Sequence, residues 1–241
     1  MNRFGNPRVW DYIALNAKNA IEAGGWYNSF DGEAYSQAEM DQYVKNTYEK
    51  LRVYLGKKKT AVEIGCASGI TMFGIAPFVE TYIGTDMAKA NLERNAEKIR
   101  REGISNIELR QCSADEIGTV ISHKADMVII NSVCQYFPDM EYFENVLGQS
   151  LGLLRDGGVL YLGDLLDRDL LEEFKAELTA YQAKHPDKKV KADRSDELWI
   201  SRAYFNERFR NPQVKEIMVS DKLAVIENEL TKYRYDVVML V

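Results

Sequence analysis

Apolar residues before position 57 recur at helical spacing. Trp10, Ile13, Ala14, Ala17 and Ile21 share one predicted helix face, and Met40, Val44, Tyr48, Leu51 and Leu55 share another. Between them, residues 24–36 are rich in Gly, Asn, Ser and aromatics and read as a loop. From Thr60 the rhythm changes to short apolar runs at 61–64, 81–84, 107–110, 127–130 and 159–162, separated by amphipathic stretches. One such stretch carries Ala88, Leu92, Ala96 and Ile99 on its apolar face; another carries Phe143, Val146, Leu147, Leu151 and Leu154 ahead of the Asp156-Gly157-Gly158 turn. Helical patterns follow at 170–184 and 202–210. Runs at 214–219 and 232–240 then form a terminal pair joined without a helix. Strands alternating with helices predict an α/β fold with a doubly wound, mostly parallel sheet: five parallel strands, then an antiparallel hairpin, seven in all. A helical cap is expected over residues 1–56, and the α/β domain over 57–241 with a helical insert at about 165–211.

Composition narrows this picture. The chain has 241 residues, 46% hydrophobic and 28% charged, which suits a soluble globular protein and not a disordered one. Apolar stretches such as 127–130 and 237–241 are too short to span a bilayer, and the N-terminus has no signal-peptide core, so the expectation is a cytoplasmic protein with no membrane partner. Cys66, Cys112 and Cys134, with two histidines in the chain, have neither disulfide nor zinc spacing; free thiols and no metal are expected. A net charge of −6 disfavours nucleic acid. The basic run Lys184, His185, Lys188, Lys189, Lys191 and Arg194 around Pro186 reads as a solvated linker, with docking of an acidic partner as the alternative.

The strongest local signal is Val62-Glu63-Ile64-Gly65-Cys66-Ala67-Ser68-Gly69, a strand entering a tight small-residue turn ahead of an apolar helix. Small residues there let a ligand approach the backbone. In a dinucleotide fingerprint the third glycine would fall at Ile70, so the pattern is instead Glu-x-Gly-x-Ala-x-Gly with an acid before the turn. Asp86, at the end of the second predicted strand, can accept both hydroxyls of a ribose or cap a helix starting at Met87.

These residues resemble class I S-adenosylmethionine-dependent methyltransferases. The resemblance implies a Rossmann-like fold, with Glu63, Gly65, Cys66, Ala67 and Gly69 around the methionine part of the cofactor, Asp86 at the ribose, and Met87 and Asn131 as further cofactor-binding candidates. The family often has Gly where this chain has Ala67. Ser113, before Ala114, occupies the usual place of the adenine-binding acid, and Asp115 either substitutes for it or caps a helix. A narrower resemblance lies in Asn131-Ser132-Val133-Cys134-Gln135-Tyr136-Phe137-Pro138, which is similar to a motif of methyltransferase domains embedded in nonribosomal peptide synthetases. The segments LLRDGGVLYLGDL (153–165), ENELTKYRYDVV (227–238) and 25–44 are similar to those domains too.

Open α/β sheets bind ligands beyond the carboxyl ends of their strands, so Asn131, Gln135, Tyr136 and Asp164 are expected to share a cleft with the cofactor. Tyr136 and Phe137 could equally be core residues, and Glu229 could face water. Gln135, Tyr136 and Glu229 are the catalytic candidates; Tyr35, Gln135, Tyr136, Asp164 and Asn228 are the acceptor-binding ones. Aromatic Trp26, Tyr27 and Tyr35 in the cap are expected to close over the cleft. The resemblance implies methyl transfer from S-adenosylmethionine, leaving S-adenosylhomocysteine, to the nitrogen of an amino acid or an aminoacyl or peptidyl intermediate, free or tethered to a carrier protein. O-methylation of a small metabolite, or a scaffold that binds the cofactor without turnover, are the alternatives.

Overall fold

The computed structural model describes residues 5–191, 193, 196–223 and 225–241. Seven strands form one sheet: β1 Gly56–Ile64, β2 Val79–Asp86, β3 Ile107–Gln111, β4 Ala125–Asn131, β5 Leu154–Leu166, β6 Glu216–Asp221 and β7 Arg234–Leu240. Their order is β3-β2-β1-β4-β5-β7-β6. The first five run parallel, and β7 lies antiparallel between β5 and β6. The strand order therefore reverses between β1 and β4, where a crevice opens beyond the strands' carboxyl ends.

Burial explains the continuity of the apolar runs. Every residue of β4 is buried, as a parallel strand covered on both faces must be. Val62, Ile64, Val128, Ile130, Leu160 and Leu162 face one core with Phe143, Val146, Leu147 and Leu151. Ala61, Met127, Ile129, Val159 and Tyr161 face the other with Leu51, Met72 and Ile75. The period-two alternation thus sorts each strand onto two layers of helices.

The helices are α1 Pro7–Asn16, α2 Ala20–Ala23, α3 Gln37–Leu51, α4 Ile70–Ile75, α5 Lys89–Glu102, α6 Ile117–Val120, α7 Met140–Leu153, α8 Leu171–Lys184 and α9 Glu229–Lys232. Several depart from the spacing argument. The first apolar stripe is divided between α1 and α2, and Leu55 lies beyond the end of α3. On α5, Ala96 is exposed; Asn91, Leu92 and Asn95 are the inward positions. The 202–210 helix contains a π-helical turn, Tyr204–Arg208. The Asp156-Gly157-Gly158 turn is absorbed into β5, where the register with β4 jumps from Leu154 to Val159. The link from β6 to β7, expected to lack a helix, carries α9. Asn228 and Thr231 close that single turn with reciprocal capping bonds.

Cys66, Cys112 and Cys134 are free and buried. Among the described residues no helix is long and apolar enough to cross a membrane. The basic run is not a free linker: Lys191 N donates to Ser29 O at 2.8 Å and Lys188 lies 3.7 Å from Glu33, which packs this segment on the 28–33 loop. Arg194 of that run lies outside the described residues.

Candidate functional site

At the end of β1 the chain turns through three left-handed residues, Gly65 (φ +76°), Ala67 (φ +42°) and Gly69 (φ +83°). A Cβ at Gly65 would come within 2.5 Å of Val133, so only glycine fits. Gly69 does not line the cavity described below; a Cβ there would meet the Phe73 ring at 2.5 Å and Asn95 Oδ1 at 2.9 Å, so it serves the start of α4. Ala67 is the strained member, and it is held from both sides. Its N–H donates to Asp86 Oδ2 at 2.7 Å, and its carbonyl accepts from Asn95 Nδ2 at 2.8 Å.

Two buried acids flank this turn. Glu63 is 2% exposed, and burial pushes its carboxyl from the ordinary 4.5 up to about 8, against the Tyr82 hydroxyl that donates to it at 2.9 Å; the Asp86 charge pushes in the same direction as burial. Among the described residues no cation pairs with Glu63. Asp86 is also raised by burial, opposed by the N–H groups of Ala88 and Ala67. Its Oδ1 accepts from Ala88 N at 2.7 Å, just ahead of α5, so the carboxylate joins the turn to the helix while each oxygen keeps a second lone pair.

Glu63, Gly65, Cys66, Ala67, Asp86, Met87, Ser113, Ala114, Asp115 and Asn131 all line one cavity of about 660 Å³, within the size range of small-molecule sites. Asp115 is not the cap of its turn, because Ser113 and Glu116 cap each other; its carboxylate instead accepts from the Tyr142 hydroxyl at 2.8 Å. Ser68 Oγ, both polar atoms of Asn91 and Asn131 Oδ1 are buried without a hydrogen-bond partner in this wall. Uncompensated buried polar atoms cost ~1–3 kcal/mol each, so this wall fits a polar ligand, and the two acids fit one that carries positive charge.

Further lining residues come from the turn after β4, the N-terminal segment and α9. Tyr136 is one of them, set edge-on to Trp10 with ring centroids 4.9 Å apart. Glu229 is buried there, not facing water, and accepts from Ser29 N (3.1 Å), Ser29 Oγ (3.0 Å) and the Tyr35 hydroxyl (2.7 Å). Trp26, Tyr27 and Tyr35 of the N-terminal segment also line the cavity.

Three acceptor-side expectations are corrected. Gln135 does not line the cavity: its amide turns back to donate to Ser132 O (3.0 Å) and Ser132 Oγ (2.9 Å) within a 3₁₀ turn. Asp164 is fully buried outside the cavity wall, where Arg234 and Lys222 neutralise it. Asn228 also lies outside, capping α9 at Leu230 N and donating to Glu39 Oε1, both at 2.9 Å. Conversely, spacing missed Trp10, Ser29, Asn91, Ser132, Lys191, Glu197 and Arg234, which all line the cavity.

Residues 55–220 match the family model described as a methyltransferase domain. Chondramide synthase cmdD of Chondromyces crocatus is 33% identical over 227 residues, 90% of this chain and 6% of that synthase. Nonribosomal peptide synthetase TES of Alternaria alternata is 27% identical over 228 residues, 89% of this chain and 4% of that protein. The chain thus spans a small fraction of either relative. Among solved structures, the N-methyltransferase NodS from Bradyrhizobium japonicum WM9, in complex with S-adenosylhomocysteine, superposes with a TM-score of 0.60 at 13% identity, covering 97% of this chain and 96% of NodS. Magnesium protoporphyrin IX methyltransferase from Synechocystis PCC 6803 gives 0.56 at 13% identity, covering 99% and 95%. At such identities the likeness is one of fold, the class I methyltransferase fold expected from the sequence.

Proposed function

The chain belongs to the family of methyltransferase domains and takes S-adenosylmethionine as its methyl donor, and from that premise we propose that it methylates the nitrogen of an amino-acid-like acceptor. Bound in the cavity, the donor supplies an electrophilic methyl carbon on a sulfonium. Glu63 and Asp86 would provide the negative field for its cationic and hydroxyl groups, Gly65 to Ala67 the closely approached backbone, and Met87 and Ser113 to Asp115 the nucleoside end. Asn131, whose amide donates to Thr47 and Thr71, would form the floor between donor and acceptor.

The observation that carries the nitrogen assignment is Glu229. It is a buried carboxylate lining the same cavity as the cofactor acids, its geometry fixed by three donors. A carboxylate is an acceptor for an amine N–H. An α-amine with a pKa near ~8 is already partly neutral at cellular pH, so Glu229 need only orient it and take one proton. Tyr136 and Tyr35 would shape the pocket around that amine and exclude water. Neither His123 nor His185 lines the cavity. That one relative is a nonribosomal peptide synthetase supports an amino-acid-like acceptor.

The test is incubation with S-adenosylmethionine and a panel of free amino acids and aminoacyl thioesters, with the new methyl located by tandem mass spectrometry. Methyl on nitrogen is expected, and Glu229→Gln should lower kcat by about 10²–10⁴ while S-adenosylhomocysteine affinity holds. Methyl on oxygen, or a Glu229→Gln enzyme of native kcat, overturns the assignment.

A further inference from the structure

Arg234 opens β7 with its side chain only 11% exposed, yet it lines the cavity. Its hydrogen bonds leave from one nitrogen: Nη1 donates to Asp164 Oδ2 at 2.5 Å and to Ser132 Oγ at 3.5 Å. Among the described residues Nε and Nη2 make none. Nη2 lies 4.0 Å from Glu229 Oε1, too far for a hydrogen bond.

Charge balance alone does not account for this group. Asp164 already has a second cation, Lys222, at 3.2 Å, and Lys222 is shared with Asp236 at 3.1 Å. Glu229 already accepts three hydrogen bonds. The buried chain Lys222–Asp164 braces the guanidinium from one side and leaves its remaining donors unspent. Among the described residues, the other cation in the cavity wall, Lys191, is paired with Glu197. A guanidinium presents its N–H groups in a planar fork suited to carboxylate and carbonyl oxygens, and the spare donors of Arg234, a residue of the cavity wall, are left for a ligand oxygen.

Resting on the nitrogen reading above, we infer that Arg234 determines acceptor specificity by holding the oxygen of the carbonyl or carboxylate one carbon away from the amine that Glu229 holds. The two opposite charges, 4.0 Å apart in one cavity, match an amine and a carbonyl on the same carbon. Simple amines satisfy Glu229 and leave the fork unmet. α-Aminoacyl groups satisfy both.

The experiment compares kcat/KM for aminoacyl thioesters of N-acetylcysteamine with kcat/KM for amines of the same side chain that lack the carbonyl, each followed over pH and referred to the neutral amine so that their different basicities cancel. Wild type should prefer the carbonyl-bearing acceptor by about 100-fold or more, because a site built to hydrogen-bond a group rejects the analogue without it. In Arg234→Gln that preference should collapse to within about threefold, with Arg234→Lys between, the variants being selected for retained S-adenosylhomocysteine binding by calorimetry. Should neither variant fold, the wild-type ratio decides. Equal wild-type kcat/KM for both acceptors, or a preference undiminished in Arg234→Gln, overturns the inference and leaves nitrogen methylation standing. Absence of N-methylation on every amine overturns the reading beneath it.

Discussion

One carboxylate at Asp86 joins two pieces of chain, taking the N–H of Ala67 on Oδ2 and that of Ala88 on Oδ1. An acid that served only a ribose could be removed without harm to the fold. Here Asp86→Ala would strand two buried donors, each charge-assisted bond being worth ~1.5–3 kcal/mol. The expected result is loss of S-adenosylhomocysteine binding in calorimetry together with a urea midpoint lowered at unchanged m-value. A variant that loses affinity but keeps the native midpoint would show that the two backbone bonds carry no stability. Ala67 offers the complementary test. Its φ of +42° costs an L-residue about 1–2 kcal/mol, so Ala67→Gly should hold or raise the midpoint despite the added freedom of the unfolded chain. A loss above about 1 kcal/mol would mean that the methyl group packs rather than intrudes.

Among the elements, α1 joins the two halves of the site. Asp11 Oδ1 accepts from Ala90 N at 2.9 Å, capping an α5 whose own N-cap residue, Ala88, has no hydrogen-bonding side chain. Arg94 Nη1 returns a bond to Ala14 O at 3.3 Å, and Trp10 meets Tyr136 on the acceptor wall. Asp11→Ala removes this cap, for about 1 kcal/mol, and releases the helix. Hydrogen exchange across residues 5–23 should accelerate, and the slowing expected there when S-adenosylhomocysteine binds should shrink. Unchanged exchange would make α1 a fixed wall rather than a lid. The strands were legible because each apolar run is a local property of its own residues, and so was the glycine turn. Asn228 was misread although its Asn-x-x-Thr spacing is itself a capping signal. Gln135 was misread because a 3₁₀ turn folds its amide back within three residues. Arg234 falls inside the 227–238 segment, but no spacing marks it as a site residue. Its importance depends on β7 inserting between β5 and β6, which buries both faces of the strand and with them Asp236; that insertion is a pairing between distant segments that no local spacing records.

The molecule as a whole couples proton and cofactor through Glu63. Its carboxyl is pushed from 4.5 to about 8 in the folded chain, so between those values the folded state holds a proton that the unfolded state has released. Stability of the free protein should therefore fall as pH rises through that window, the reverse of the behaviour of a carboxylate held by a cation. A cationic ligand changes the balance, because it favours ionised Glu63 and lowers its pKa. Binding of S-adenosylmethionine below pH 8 must then expel close to one proton from this site, and affinity should climb by up to about tenfold per pH unit before levelling above 8. Calorimetric titrations at pH 7 in two buffers of different ionisation enthalpy read that proton directly. In Glu63→Gln the proton release should vanish, the pH dependence should flatten and the free protein should lose its decline in stability between 4.5 and 8. If the wild-type heats agree in both buffers, Glu63 is already ionised in the free protein, and the buried acid beside the turn does not hold a proton for the cofactor to displace.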